Sequence, residues 1–304
     1  GAGAAEGLDA TNPDYQYGGD EDGSSCGSLK YVRVEFAGFE LTKDNELNGI
    51  TFYSCGAGTT VDYVQAHLGK DDGIEMFGGT WSGAHIVVSG AQDDAIDVDQ
   101  GYIGTLQHVA IIQDPALGNY AFELSNQKDS LDAEPRTAPT FVNVTAIGAA
   151  ASQALPTQSA GVRLKEGAAA AFHNAIFAHF HGPAVELTEG ATEAVAGAGG
   201  VVFQRSLFFH NAVVDGGATP YVVGEGSSFD LAGLIADPAR GNLLDVDPLL
   251  TSYDFRAPDF APRDGSPVRG AGQAPSGFDP ADYIGAVPDA AGDWTRGWTA
   301  YPAN

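Results

Sequence analysis

The 304-residue sequence predicts an all-β fold, a right-handed parallel β-helix, and three observations predict it. Similar units begin at Ile50, Ile74 and Ile96, giving a period of 22–25 residues through Tyr120. Each unit holds two short runs that alternate apolar and polar residues, the period of a half-buried strand. Turns rich in Gly, Asp and Asn separate the runs, and the chain carries 41 glycines without a three-residue period. Such a unit cannot bury a face alone, whereas stacked units share one continuous core. A β-propeller blade needs about 40 residues and four strands. An all-β sandwich is the alternative fold.

Taken in order, the first strand-like segment is Leu29–Phe36 (LKYVRVEF). The clearest units follow: Ile50–Gly73, Ile74–Ala95 and Ile96–Tyr120. Ala121–Gly161 is longer by most of a unit, which places an insertion at Gln127–Pro139 or Ala149–Ser159. Val162–Ala184 and Val185–Ala212 return to phase, and helical periodicity is poor throughout. Past Gly216 the pattern decays into a Pro-rich tail ending in Trp294 and Trp298. Solenoids need atypical capping segments, so the two tryptophans are expected to pack on the last coil. A sugar-stacking platform is the other reading of them. The organisation is therefore an N-terminal arm and lead-in over 1–28, coils over 29–215, and terminal coils with a Pro/Trp-containing cap over 216–304.

A net charge of −26, from 40 acidic and 14 basic residues, sets the choice of partners. Nucleic acid is excluded, because its affinity comes from Lys and Arg neutralising phosphates. Anionic membrane is disfavoured for the same reason, and divalent cations are the natural partners. No apolar run approaches the roughly 20 residues of a membrane span. The two cysteines, Cys26 and Cys55, are expected to form a disulfide, and with the acidity they predict a secreted or cell-surface protein. The opening residues, Gly1 to Glu6, look like a trimmed mature end.

The stretches Tyr17–Asp20, Leu29–Gly38, Asn45–Gly49 and Asp71–Thr80 carry a resemblance, echoed at Asp93–Asp97 and at Gly297-Trp298. Together they resemble a family of bacterial secreted or cell-surface, lipoprotein-like right-handed parallel β-helix proteins. The resemblance spans nearly the whole chain, most densely its first 125 residues. It implies the fold and the location, together with a further segment upstream. It supplies no characterised activity, so no catalytic residue is carried over.

In-register stacking turns equivalent residues into columns about 4.8 Å apart. Alignment of the units puts Glu75, Asp97 and Glu123 in one column, followed by Arg163 and Glu186. Asp71 and Asp72 lie over Asp93 and Asp94, with Asn48 and Asn119 as polar equivalents. The segment Asp71–Gln127 holds nine acidic residues and no Lys or Arg, so internal salt bridges are not expected to balance it. Stacked like charges must splay into water, take up protons or bind cations. Calcium takes six to eight oxygen ligands, which makes Asp71, Asp72, Glu75, Asp93, Asp94, Asp97, Asp99 and Glu123 the candidate calcium ligands. A solvated acidic ridge is the plainer reading, since no EF-hand or nonapeptide calcium motif is present. His85 and His108 align with Tyr31 and Tyr63 as a half-buried structural column, and His67 lies one face away.

Two function classes follow. One is an extracellular structural or adhesive protein, stabilised by cations, whose partners are copies of itself or extracellular polysaccharide. The other is a polysaccharide-active enzyme working through stacked carboxylates, a glycoside hydrolase rather than a lyase. A lyase needs a basic group that the acidic coils themselves lack.

Overall fold

The computed structural model describes residues 3–5, 8–42, 45–149, 159–212 and 220–302. Two stacks of parallel strands build the solenoid. The first sheet runs through Ile50–Tyr53, Ile74–Phe77, Ile96–Asp99, Tyr120–Ser125, Ala160–Lys165, Val185–Leu187 and Tyr221–Val223. The second runs through Ser28–Glu35, Thr60–His67, Ser82–Ser89, Thr105–Ile112, Thr140–Ile147, Ala170–Ala178, Leu207–Phe209 and Leu243–Leu244. Neighbours within a sheet come from successive coils, which is the parallel β-helix read from the repeat.

Period-2 alternation sets what faces inward. Ile74, Met76, Ile96, Val98, Phe122, Leu124, Val162 and Leu164 are all fully buried, while the residues between them face out. Inside the later coils Phe141, Phe172 and Phe203 stack at centroid separations of 4.9 and 5.2 Å. Stacking places identical rings at strand spacing, so one aromatic position becomes a ladder.

Each long strand of the second sheet carries one residue in left-handed backbone near its middle. The column is Tyr31, Tyr63, His85, His108, Asn143 and Asn174, with φ between 54° and 59°. The pairing register skips these residues, passing from Lys30↔Asp62 to Val32↔Val64, so each breaks the ladder as a bulge does. The four N-terminal members stack ring on ring: Tyr31 on Tyr63 at 4.5 Å, Tyr63 on His85 at 4.2 Å, and His85 on His108 at 5.1 Å. The structural column expected of these residues is present.

The insertion at Gln127–Pro139 is the loop between the strands Tyr120–Ser125 and Thr140–Ile147. Residues 150–158, the alternative place for it, lie outside the described residues. A helix, Glu189–Gly197, departs from the all-strand reading of Val185–Ala212. Its Ala-rich sequence favours helix, and Thr192 and Ala196 are its buried face.

The C-terminal region does two jobs. The short helix Leu231–Ala236, N-capped by Asp230, inserts Leu231 and Ile235 into the interior core and closes the last coils. Beyond it the chain turns back as a strap along the outer face of the second sheet. Leu250, Phe260, Val268, Ile284 and Val287 form a second core with the outward residues Val87, Ala110, Ile112, Ile147, Ile176 and Leu207. Trp294 reaches Tyr63 and His85, and Trp298 reaches Tyr31 and Tyr63. The tryptophans therefore pack on the first coils, not on the last coil as expected. The strap is anchored by amides: Gln65 exchanges two hydrogen bonds with Ala300, Gln107 exchanges two with Asp279, and Asn143 donates to Tyr283 and Gly285.

Cys26 and Cys55 form the expected disulfide, with Cα atoms 5.6 Å apart and a sequence separation of 29. It pins the lead-in segment to the first coil, and a loop of this size contributes about 3–4 kcal/mol in the chain-entropy model.

Candidate functional site: the carboxylate face of the first sheet

The outward column of the first sheet pairs as Thr51↔Glu75↔Asp97↔Glu123↔Arg163↔Glu186. This is the register expected from the repeat. The turn just before these strands forms a second column, in which a side-chain oxygen of one coil accepts the backbone N–H of the next. Asn48 Oδ1 accepts from Asp72 at 3.3 Å, Asp72 Oδ1 from Asp94 at 2.9 Å, and Asp94 Oδ1 from Tyr120 at 2.6 Å. Asp72 and Asp94 thus hold the coils in register through one carboxylate oxygen each.

Seven of the eight predicted ligands gather into three overlapping groups: Asp71–Asp72–Asp93, Asp72–Glu75–Asp97 and Asp94–Asp97–Glu123. Within each group one oxygen per residue lies within 4.8 Å of the others. Asp72, Glu75 and Asp94 are buried, whereas Asp93 is exposed. The eighth, Asp99, lies one outward position further along its strand and stands outside these groups. Asp97 Oδ1 has no exposed surface and no hydrogen-bond partner among the described residues.

Burial dominates the electrostatics. It pushes the carboxyls of Asp72, Asp94 and Asp97 well above the usual range, and neighbouring carboxylates push the same way. Asp99 is raised to about 6, again chiefly by burial. Without a cation these groups hold protons that a solvated carboxylate would release.

Two internal cations reach one end of the face, though they do not balance its nine acidic residues. The next coil supplies both: Lys165 Nζ sits 2.5 Å from Glu123 Oε2, and Arg163 Nη1 lies 3.4 Å from Glu123 Oε1. Sequence reasoning placed Arg163 in the column but treated the acidic segment as closed on itself. Extending the period-2 pattern two residues past Arg163 puts Lys165 on the same face. The two coils pair across a 40-residue step, Phe122 to Val162. The same finding removes the objection that a basic group is lacking.

Aromatic rings flank the acidic part. Tyr53 and Phe77 stack at 5.1 Å, and Tyr17 of the N-terminal arm lies over them at 4.7 and 6.0 Å. The Tyr17 hydroxyl donates to Gln100 Oε1 at 2.7 Å. A groove of about 530 Å³, lined in part by Gly18, Asp20, Ser54, Thr80 and Gly101, opens past the ends of these strands. Among the predicted histidines, His67 is buried under the strap, bonded to Ser89 and Pro302, away from the carboxylates.

Two sheets of parallel strands stacked coil on coil, closed by a helix and bearing a face of columns, define a right-handed parallel β-helix protein. The family model described as a pectate-lyase-like beta helix domain matches residues 4–218, and the chain belongs to that family. No curated protein and no solved structure matches the chain.

Proposed function

We propose that the chain is an extracellular or cell-surface β-helix scaffold whose carboxylate face binds calcium across successive coils. The observation that carries this reading is the Asp72–Glu75–Asp97 group, in which Asp97 also has an oxygen, Oδ1, that is buried and has no hydrogen-bond partner among the described residues. All-oxygen donors suit a hard cation. Calcium replaces the protons that burial otherwise imposes, and it ties three coils together. Its remaining coordination positions are open to water or to hydroxyl and carboxylate oxygens of a polysaccharide. The disulfide supports an oxidising location. The outermost strand of the second sheet, Ser28–Glu35, leaves an edge available to another chain. The test is thermal unfolding in calcium and after chelation. Calcium at 100 times its dissociation constant adds about 2.7 kcal/mol, read as a higher melting temperature. Identical melting curves would sink the proposal.

A second reading, a polysaccharide-active enzyme, gains support from Lys165. The Asp94–Asp97–Glu123 group brings carboxyls within the roughly 5 Å of a retaining glycosidase, and Lys165 and Arg163 add the basic groups that a lyase uses. The family's pectate-lyase likeness supports the same substrate class. Here a glycan panel should show new reducing ends, with ultraviolet-absorbing unsaturated ends in the lyase case, lost in Asp97→Asn. A panel left intact by the native protein removes this reading.

A further inference from the structure

We infer that the cavity between the strap and the coil turns of the second sheet is a binding site for a single pyranose ring. It lies outside the carboxylate face and shares no residue with it.

Four stretches distant in sequence converge on this cavity of about 380 Å³. His67 ends the strand Thr60–His67, and Asp114 belongs to the turn after Thr105–Ile112. The strap contributes Asp254, Phe255 and Arg256 on one pass and Tyr301 with Pro302 on its last. The Phe255 ring is seated directly on a coil turn, since a Cβ on Gly90 would come within 2.6 Å of it. Glycine at that position, with φ 68°, makes the room. His67 is wall, because both ring nitrogens are engaged: Nδ1 by Ser89 Oγ at 2.7 Å and Nε2 by the Pro302 carbonyl at 3.0 Å.

Two donors in the lining are unspent. The Tyr301 hydroxyl is buried and has no hydrogen-bond partner among the described residues, which costs stability until something fills it. Arg256 is exposed, and its guanidinium makes no ion pair among the described residues of a chain with 40 acidic side chains. Asp114 and Asp254 add carboxylate acceptors, each anchored through Oδ1 to a backbone N–H of its own turn.

These groups select the ligand. A simple cation would meet Arg256 and a simple anion would meet two carboxylates, so neither sign of charge is served by the whole lining. An apolar molecule would leave the hydroxyl and the carboxylates without partners. A pyranose has hydroxyls that donate to carboxylates and accept from a guanidinium or a phenol. It also has a C–H face that packs on the negative face of an aromatic ring, here Phe255 or Tyr301. A volume of about 380 Å³ lies near the lower end for small-molecule sites, so it takes one ring and not a chain.

The test is saturation-transfer NMR with the methyl glycosides of glucose, galactose, mannose, xylose, N-acetylglucosamine and glucuronic acid, followed by titration of those that respond. The native protein binds at least one of them. Tyr301→Phe and Arg256→Gln each weaken that binding about tenfold, the loss of one hydrogen bond. Asp97→Asn, on the carboxylate face, leaves it unchanged. Tyr301→Phe also melts no lower than the native protein, because the lost hydroxyl leaves no partner behind. Should Tyr301→Phe fail to fold, Arg256→Gln, at an exposed position, carries the binding expectation. Silence from the whole panel overturns the inference. Binding that survives both cavity variants overturns it as well, and its loss in Asp97→Asn would move the sugar to the carboxylate face.

Discussion

On the outer face of the second sheet, Gln65, Gln107, Asn143, Thr145 and Asn174 point away from the core, and the strap meets each of them with backbone. Ala300, Asp279, Tyr283, Ala286 and Gln273 supply the matching groups. On the outer face of the first sheet, Glu75, Asp97 and Glu123 also point away from the core, and Lys165 and Arg163 pair with Glu123. Stacking multiplies polar residues on both faces. One is covered by the chain itself, with Asn174 Nδ2 and the Tyr301 hydroxyl left without partners there, whereas on the other the unmatched buried atom is Asp97 Oδ1, amid stacked carboxylates.

The largest effect should come from breaking the closed face. Phe260 is 1% exposed in the core beneath the strap. Phe260→Ala should cost about 3–5 kcal/mol, measured by denaturant unfolding, with calcium affinity unchanged. A calcium affinity that falls in parallel would mean that the two faces are one cooperative unit.

Next comes the pH response of the open face. Asp72, Asp94 and Asp97 have folded-state pKa values raised above the unfolded value near 3.8, and Asp99 is raised to about 6. The native state then binds protons more tightly than the unfolded chain. This contribution is complete at low pH and is lost as pH climbs from 3.8 through the folded values. Metal-free protein should melt higher at pH 5 than at pH 8. Saturating calcium should reverse that order, because the cation binds the deprotonated carboxylates. Asp97→Asn should flatten the metal-free slope. A slope unchanged by the substitution would place the titration elsewhere in this acidic chain.

The smallest effect belongs to a single anchor. Gln107 exchanges two hydrogen bonds with Asp279, and Gln107→Ala should cost about 1–2 kcal/mol. Hydrogen exchange should rise locally in the strap around residue 279 while the carboxylate face keeps its protection. Equal loosening of both faces would erase the distinction drawn between them.

The parts of the molecule legible in its sequence are those built by repetition. Glu75, Asp97, Glu123, Arg163 and Glu186 fell into register because strand alternation and turn residues fix the phase, and Tyr31, Tyr63, His85 and His108 did so for the same reason. The strap was illegible because it lacks periodicity. Its partners are far off in sequence, 235 residues for Gln65 and Ala300, and a Pro-rich tail carries no mark of which face it will cover. Lys165 escaped notice because the column was followed one residue per coil, and Lys165 lies two residues past Arg163 on the same face. The helix Glu189–Gly197 was missed because a tertiary slot decides such a short helix, not a period. Burial of Asp72 and Asp94 was also beyond the sequence, since a turn residue is usually solvated and only the stacked coils enclose it.

A crystal structure of the protein grown with calcium tests the central claim most directly. The account predicts one ion about 2.3–2.6 Å from oxygens of Asp72, Glu75 and Asp97, with Lys165 still on Glu123. A face holding ordered water and no ion at saturating calcium, with Asp72 and Asp97 unchanged, would contradict it.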